Sequence, residues 1–355
     1  MKLLIAAGGT GGHIFPGIAV AEAFQGLDED NEVLFVGTEY GMEKRIVPAT
    51  GFRLLMIAGS PFLGTSVVRK AGTILRVLKG VGTAMTIIRN EKPDAVIGMG
   101  GFTCVPVMLA ALLLKRPAFL HEQNVYPGLA NRRFSRYVRA VFTSFDATKA
   151  YLKGNLVHTG NPVRKTLRVF TPPVKENGDF GVFIFGGSRG AHAINQAMIA
   201  LLPQLSDLKD IVLYHQTGTD DYESAIKAYG KSGLTNEVFP FTDRMEKYYG
   251  LSDVVIARAG AATIFELAYF NRPAILVPYP FSAGGHQLKN ASYVADKGGG
   301  VVIENDKLAG GALLETLRVL HDHRERLKSM GQNIGSIYMK DAEEAIAKGI
   351  MARVS

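Results

Sequence analysis

Short, continuously apolar runs recur along this chain, and amphipathic stretches fill the intervals between them. The runs at residues 3–7, 33–37, 95–97, 118–120, 141–143, 182–185, 212–215, 254–257 and 274–277 show no apolar–polar alternation. Strands buried on both faces read this way. Residues 17–25 and 194–202 instead space their apolar positions as a helix does. Strand–helix alternation over the whole length predicts an α/β protein with parallel sheets covered by helices on both faces.

Two of these strands run into glycine-rich segments, half a chain apart. The first leads into Gly8-Gly9-Thr10-Gly11-Gly12-His13, the second into Gly186-Gly187-Ser188-Arg189-Gly190-Ala191. Each looks like the start of a Rossmann-type unit, so the chain is expected to hold two similar halves. A length of 355 residues agrees with two domains at ~150 residues each. Asn161-Pro162, Thr171-Pro172-Pro173 and Asn177-Gly178 form the clearest turn-rich stretch near the midpoint and mark the expected linker. Open α/β sheets bind ligands beyond the carboxyl ends of their strands, which predicts a ligand cleft between the two sheets.

Composition narrows the class. With 47% apolar and 20% charged residues the chain is packed rather than disordered. Forty glycines without a Gly-x-y period indicate tight loops. Cys104 is the single cysteine, so neither an internal disulfide nor a Cys-rich zinc site is available, and a reducing compartment is expected. The apolar run near Met1 is too short for a signal peptide. The run at 105–114 is too short for a spanning helix and contains Pro106. The net charge of +8 is concentrated: residues 59–140 carry twelve Lys/Arg against three acids. Such an excess points to nucleic acid, anionic lipid or a phosphorylated substrate.

Glycine loops at strand ends let a backbone approach a phosphate, and the following helix start holds negative charge. A third such loop, Gly98-Met99-Gly100-Gly101, follows the run at 95–97. The plainer reading of each is a tight turn without a ligand. Ile14 stands where a nicotinamide fingerprint needs its third glycine, and no P-loop lysine motif is present. The small-residue segment from Arg258 to Ala268 opens a helix whose amides suit a diphosphate. Glu266, expected in its first turn, is placed to accept ribose hydroxyls or simply to complement the helix dipole. Polar groups cluster after other strands: His121-Glu122-Gln123-Asn124, Asn161-Pro162-Val163-Arg164 and Gly284 through Asn290. They read either as solvated loops or as parts of a shared polar cleft. No second histidine follows His121-Glu122 at zinc-helix spacing, and Asp28-Glu29-Asp30 precedes a strand, so no metal is suggested.

Residues 67–88 combine helical apolar spacing with Arg69, Lys70, Arg76, Lys79 and, just beyond, Arg89. This is either an ordinary surface helix or a basic amphipathic face lying on anionic lipid. Phe62 and Leu63, in the preceding Gly/Ser/Pro loop, would be its apolar anchors. Nucleic acid fits less well, because only Phe134 and Tyr137 interleave with the bases and no recognition motif appears.

The run Ala7 through Gly17, His121-Glu122-Gln123-Asn124, Gly160-Asn161-Pro162-Val163-Arg164, Gly186 through Ala191 and Pro278 through Asn290 occur in one order. Together they resemble the peptidoglycan lipid-intermediate N-acetylglucosaminyltransferases of the GT-B superfamily, over nearly the whole chain. The resemblance implies two Rossmann-like domains with parallel sheets facing a deep interdomain cleft. It implies an acceptor and membrane domain over 1–162, a UDP-sugar domain over 163–340, and a C-terminal helix at 341–351 within a segment, 341–355, that returns to the first domain. The implied donor is UDP-N-acetylglucosamine and the implied acceptor is undecaprenyl-linked muramoyl-pentapeptide. The product is a β-1,4 disaccharide formed with inversion, without cofactor or metal, at the cytoplasmic face of the cell membrane.

Matched by position, the resemblance implies donor contacts at Thr10, Gly11, Gly12, Asn124, Arg164 and Ser188. It implies further contacts at Thr242, Ala261, Ala262, Thr263, Ile264, Phe265, Glu266 and Gln287. Gly100, Gly101 and Phe102 would face the acceptor diphosphate, although Phe102-Thr103-Cys104 replaces the family's small residues there. His286 replaces one of two adjacent glutamines, and Thr242 an aliphatic residue. The transfer needs a base for the muramoyl 4-hydroxyl. His13 is the expected base, because imidazole titrates near neutrality; it could instead orient the loop, and Glu122 is the alternative base. Two other functions share such features: a UDP-N-acetylglucosamine 2-epimerase, which needs no lipid acceptor, and a non-catalytic nucleotide-sugar sensor at the membrane.

Overall fold

The computed structural model describes residues 1–58, 67–169, 178–187, 190–208 and 210–354, and for 67–75 the backbone alone. The chain forms two compact units, Met1–Arg164 with Met339–Ser355, and Lys165–Tyr338. The first division lies two residues past the expected boundary at 162, and the chain re-enters the first unit two residues before the expected position 341. Local packing explains the return. Gly160 (φ +77°) lies so close to Met339 that a Cβ on it would come within 2.8 Å of the methionine Cβ.

The first unit holds seven strands: β1 (Lys2–Ala6), β2 (Glu32–Gly37), β3 (Arg53–Met56), β4 (Ala95–Gly98), β5 (Ala118–Glu122), β6 (Ala140–Thr143) and β7 (Leu156–His158). Their order is β3-β2-β1-β4-β5-β6-β7, and every pairing is parallel. Alternate residues of β1 enter two different apolar layers, as the pleat requires. Leu3 and Ile5 pack with Ile14, Ile18 and Phe24 of the helix Gly11–Gly26 and with Ile346, Ala347 and Ile350 of the helix Ala342–Met351. Leu4 and Ala6 face Val81, Ala84 and Ile88 of the helix Val67–Glu91, and Val107 and Met108 of the helix Cys104–Leu113. The C-terminal helix starts one residue later than expected, because Asp341 sits outside it at φ 54°.

The second unit repeats this plan with β8 (Phe180–Phe185), β9 (Ile211–Gln216), β10 (Thr235–Phe239), β11 (Val254–Ala257), β12 (Ala274–Leu276) and β13 (Gly300–Val302). The order is β10-β9-β8-β11-β12-β13, again all parallel. In each sheet the order reverses beside the strand that carries the glycine loop, β1 or β8, which is where open α/β sheets place ligands.

Strands β3, β7, β10 and β13 escape the hydrophobic pattern, and all four are sheet edges. An edge strand is covered less, so polar residues are tolerated there: Arg53, His158, Thr235, Asn236 and Glu237 all lie in these strands.

Candidate functional site

In the first unit two glycine segments meet at the carboxyl ends of β1 and β4. The expected loop at 8–13 is shorter than its glycines suggest: Thr10 is the N-cap, and Gly11, Gly12 and His13 form the first turn of the helix Gly11–Gly26. Gly8 has no room for a side chain, since a Cβ would lie 2.1 Å from Thr103 Oγ1. The Gly9 N–H donates to Oε2 of Glu43 at 2.9 Å. Glu43 is buried, and its Oε1 accepts from both the N–H and the hydroxyl of Thr38 at 2.9 and 3.0 Å. This carboxylate therefore ties the glycine turn to the end of β2. Sequence reasoning missed it, because a lone glutamate in a short helix carries no signal of its own.

His13 is half-buried, with Nδ1 3.4 Å from the Thr10 hydroxyl. Its ring lies against the second glycine segment: a Cβ on Gly100 would come within 2.8 Å of His13 Cδ2. Gly100 and Gly101 adopt φ +101° and +77°, a region costly for other residues. Phe102 turns its ring toward Gly9, where a Cβ would lie 3.3 Å from Cε1. Thr10, Gly11, Gly12, His13, Gly100, Gly101 and Phe102 are thus brought together.

His121 and Glu122 are not loop residues past a strand; they belong to β5 and are buried. Gln123 Nε2 donates to Met99 O at 2.6 Å and lies 3.0 Å from His121 Nδ1. That network assigns the ring proton to Nε2, which lies 3.3 Å from the Ser144 hydroxyl; Ser144 donates onward to Asn161 Oδ1 at 3.2 Å. Burial pushes the His121 imidazole down to about 3, so it is neutral. Glu122 Oε1 accepts from the N–H and Nδ2 of Asn124, and Oε2 from the Gly128 N–H and Asn131 Nδ2, at 2.8–3.2 Å. Burial raises its carboxyl above the ordinary carboxylate range while these four donors pull it back. A carboxylate enclosed in this way holds the 124–128 loop. This corrects the expectation that Glu122 is an alternative base: a base must reach its proton. Asn124 is fixed by that carboxylate, and Arg164 rests its guanidinium 5.3 Å from the Phe15 ring centroid.

In the second unit Ser188 lies outside the described residues, but its flanking glycines do not. Gln216, at the end of β9, joins two loops: its Nε2 donates to Gly187 O and its Oε1 accepts the Thr242 N–H, both at 3.1 Å. The Thr242 amide is therefore engaged, and a ligand there would meet the carbonyl. The helix Ala261–Tyr269 follows β11, capped by Gly260. Helix geometry leaves the first N–H groups without an intrahelical partner, and Ala262 and Thr263 are only half-buried. The Ile264 amide already donates to Gly260 O, and the Ile264 and Phe265 side chains are fully buried core. Both side chains face the core, unlike those of Ala262 and Thr263.

Glu266 is the sixth helix residue and so lies beyond the expected first turn. Its Oε2 accepts the buried Tyr249 hydroxyl at 2.9 Å, a contact the sequence did not suggest. A cavity of ≈ 440 Å³ is lined by Gly186, Gly190, His192, Arg258, Phe281, Gln287 and Asn305. Gln287 Oε1 accepts the Tyr279 N–H at 2.8 Å. Arg258 Nη1 donates to Val277 O, Pro278 O and Asn305 Oδ1 at 2.9–3.2 Å.

Among the described side chains of the helix Val67–Glu91, Val81, Ala84 and Ile88 are buried, whereas Arg76, Leu78 and Lys79 are exposed, so Leu78 of the expected stripe does not join the core. Phe62 and Leu63, and the side chains of Arg69 and Lys70, lie outside the described residues. No described helix is long and apolar enough to cross a membrane.

The glycosyltransferase family 28 N-terminal domain matches residues 3–143, and the family 28 C-terminal domain matches residues 181–347. The chain is 39% identical, over 99% of its length and 98% of the relative's, to the UDP-N-acetylglucosamine--N-acetylmuramyl-(pentapeptide) pyrophosphoryl-undecaprenol N-acetylglucosamine transferase of Geobacter sulfurreducens. It is 40% identical, over 99% and 98% of the two chains, to the enzyme of the same description from Geobacter metallireducens. The crystal structure of Acinetobacter baumannii MurG superposes with a TM-score of 0.82 at 29% identity, covering 99% of each chain. Two Rossmann-like domains with this strand order define a glycosyltransferase of the GT-B class. The chain belongs to glycosyltransferase family 28.

Proposed function

We propose that this enzyme transfers N-acetylglucosamine from UDP-N-acetylglucosamine to the 4-hydroxyl of undecaprenyl-diphospho-muramoyl-pentapeptide, with inversion. The observation that carries this reading is full-length similarity to transferases of that description, supported by the glycine segments that follow β1 and β8. Displacement of UDP develops positive charge on the sugar ring and negative charge on the diphosphate. Preorganised donors stabilise such charge by ~3 kcal/mol each. The amides of Ala261, Ala262 and Thr263, with Arg164 and Ser188, supply them without a metal. Glu266, held by Tyr249, accepts the ribose hydroxyls, and the backbone at Thr242 meets uridine through its carbonyl. Gln287 and Asn124 contact the sugar. On the first unit, His13 takes the acceptor proton through a ring nitrogen, and Gly100, Gly101 and Phe102 receive the acceptor diphosphate.

The test is transfer of labelled N-acetylglucosamine to a short-chain lipid acceptor. UDP release that requires the acceptor supports the transferase. Conversion of donor alone to the manno epimer would instead make the protein an epimerase, and donor binding without turnover would make it a sensor.

We further propose that the enzyme is peripheral, at the cytoplasmic face of the membrane, and has no nucleic-acid partner. The exposed Arg76, Leu78 and Lys79 support this reading, since each base near anionic lipid contributes ~1 kcal/mol. Co-sedimentation with anionic vesicles should fall with salt and with Arg76→Glu/Lys79→Glu; binding insensitive to both would overturn it.

A further inference from the structure

His192 is the first residue of the helix His192–Leu205 and lines the second-unit cavity, with its side chain 75% exposed. Its Nδ1 lies 2.7 Å from Asp221 Oδ1. Asp221 is buried, and its Oδ2 accepts from Asn195 Nδ2 at 2.7 Å. Asn195 is held in turn: its Nδ2 also donates to Thr217 O at 2.7 Å, and its Oδ1 lies 3.0 Å from His215 Nε2. Tyr229 closes the chain, its hydroxyl 2.8 Å from His215 Nδ1. An exposed imidazole is thus mounted on a carboxylate kept in place by three buried side chains and one backbone carbonyl.

Burial pushes the Asp221 carboxyl up, but the hydrogen bonds from Asn195 and His192 bring it below its ordinary value, so it is charged. A charged acceptor on Nδ1 fixes that nitrogen as the protonated one. Nε2, on the far side of the ring from Asp221, is the nitrogen left for a ligand in the cavity.

The rest of the cavity defines the ligand's chemistry. Gly186 and Gly190 line it, and neither has room for a side chain: a Cβ on Gly186 would lie 2.2 Å from the Cβ of Ala191. Gly190 is at φ +77°, and a Cβ there would lie 1.9 Å from Thr217 O. Arg258 brings a second cation, one whose Nη1 is already committed to Asn305 and two carbonyls. Asp221 is the carboxylate on the imidazole, and among the described residues Arg258 and Tyr279 are the other titratable side chains lining the cavity.

We propose that His192, mounted on Asp221, contacts the diphosphate of the nucleotide sugar through Nε2 and binds it most tightly as imidazolium. This rests on the reading that the second unit holds a uridine sugar nucleotide. As imidazolium, His192 keeps Nδ1–H on Asp221 and donates Nε2–H to a phosphate oxygen as a charge-assisted hydrogen bond.

Titration calorimetry of the full chain with UDP and with uridine, at pH 6 and pH 8, tests it. His192→Ala should weaken UDP about tenfold at pH 6, the size of one charge-assisted hydrogen bond, and leave uridine unchanged. The wild-type advantage over the variant should be larger at pH 6 than at pH 8, because with Nδ1–H held by Asp221 only the imidazolium can donate from Nε2. His192→Gln, which keeps a neutral donor, should recover only part of the loss. UDP binding by His192→Ala within about twofold of wild type would overturn the proposal while leaving the nucleotide reading intact. A wild-type chain that binds no UDP would overturn both. The exposure of His192 keeps these variants clear of the core.

Discussion

Replacing His13 by alanine should leave UDP-N-acetylglucosamine affinity within a few-fold of wild type and lower turnover by about 10²–10⁴-fold, the usual contribution of a positioned base. The imidazole is half-buried rather than sealed, with Nδ1 3.4 Å from the Thr10 hydroxyl. Its ring rests on Gly100 and Gly101, the pair expected to receive the acceptor diphosphate. A base belongs beside the acceptor. The contrasting role, in which His13 merely shapes the glycine turn, predicts parallel losses in donor affinity and turnover. Donor calorimetry combined with single-turnover transfer separates the two, and turnover surviving within a few-fold would remove His13 as the base.

The second large effect is on stability. Glu122→Ala removes the acceptor of four hydrogen bonds inside the first unit. Each buried donor left unmet costs about 1–3 kcal/mol, and relaxation of the 124–128 loop recovers part of that, so a net loss of about 3–5 kcal/mol is expected. For a domain of this size that lowers Tm by on the order of 10 °C. Glu122→Gln should also destabilise, because its amide NH₂ would confront two of the four donors. Thermal unfolding followed by circular dichroism measures both. Were Glu122 the base, Glu122→Gln would unfold at the wild-type temperature and abolish transfer, and that pair of results would return the base to Glu122.

Glu122 and Glu266 show where the linear order of residues stopped being sufficient. Both are acids beside a strand or helix start, and the chain's pattern treated them as cleft residues. Packing separated them. Glu122 is enclosed by its own loop, whereas Glu266 is gripped by Tyr249 from the preceding helix Met245–Leu251. Glu43, Gln216 and His192 left no mark in the pattern at all. Their roles arise from contacts with Gly9, Gly187 and Asp221, at separations of roughly thirty residues.

The central strands, the two glycine turns and the repeat of one plan in two halves were legible from residue order alone. Each depends on local chemistry: an apolar run of only three to five residues bounded by turn residues suits a strand buried on both faces, and a positive φ joined to a close approach favours glycine. The edge strands and the division of acids into loop anchors and ligand candidates were settled by the folded chain, which also placed the start of the expected return to the first unit at Met339. These depend on which surfaces come to cover one another, and burial by a distant segment has no signature in the residues being buried.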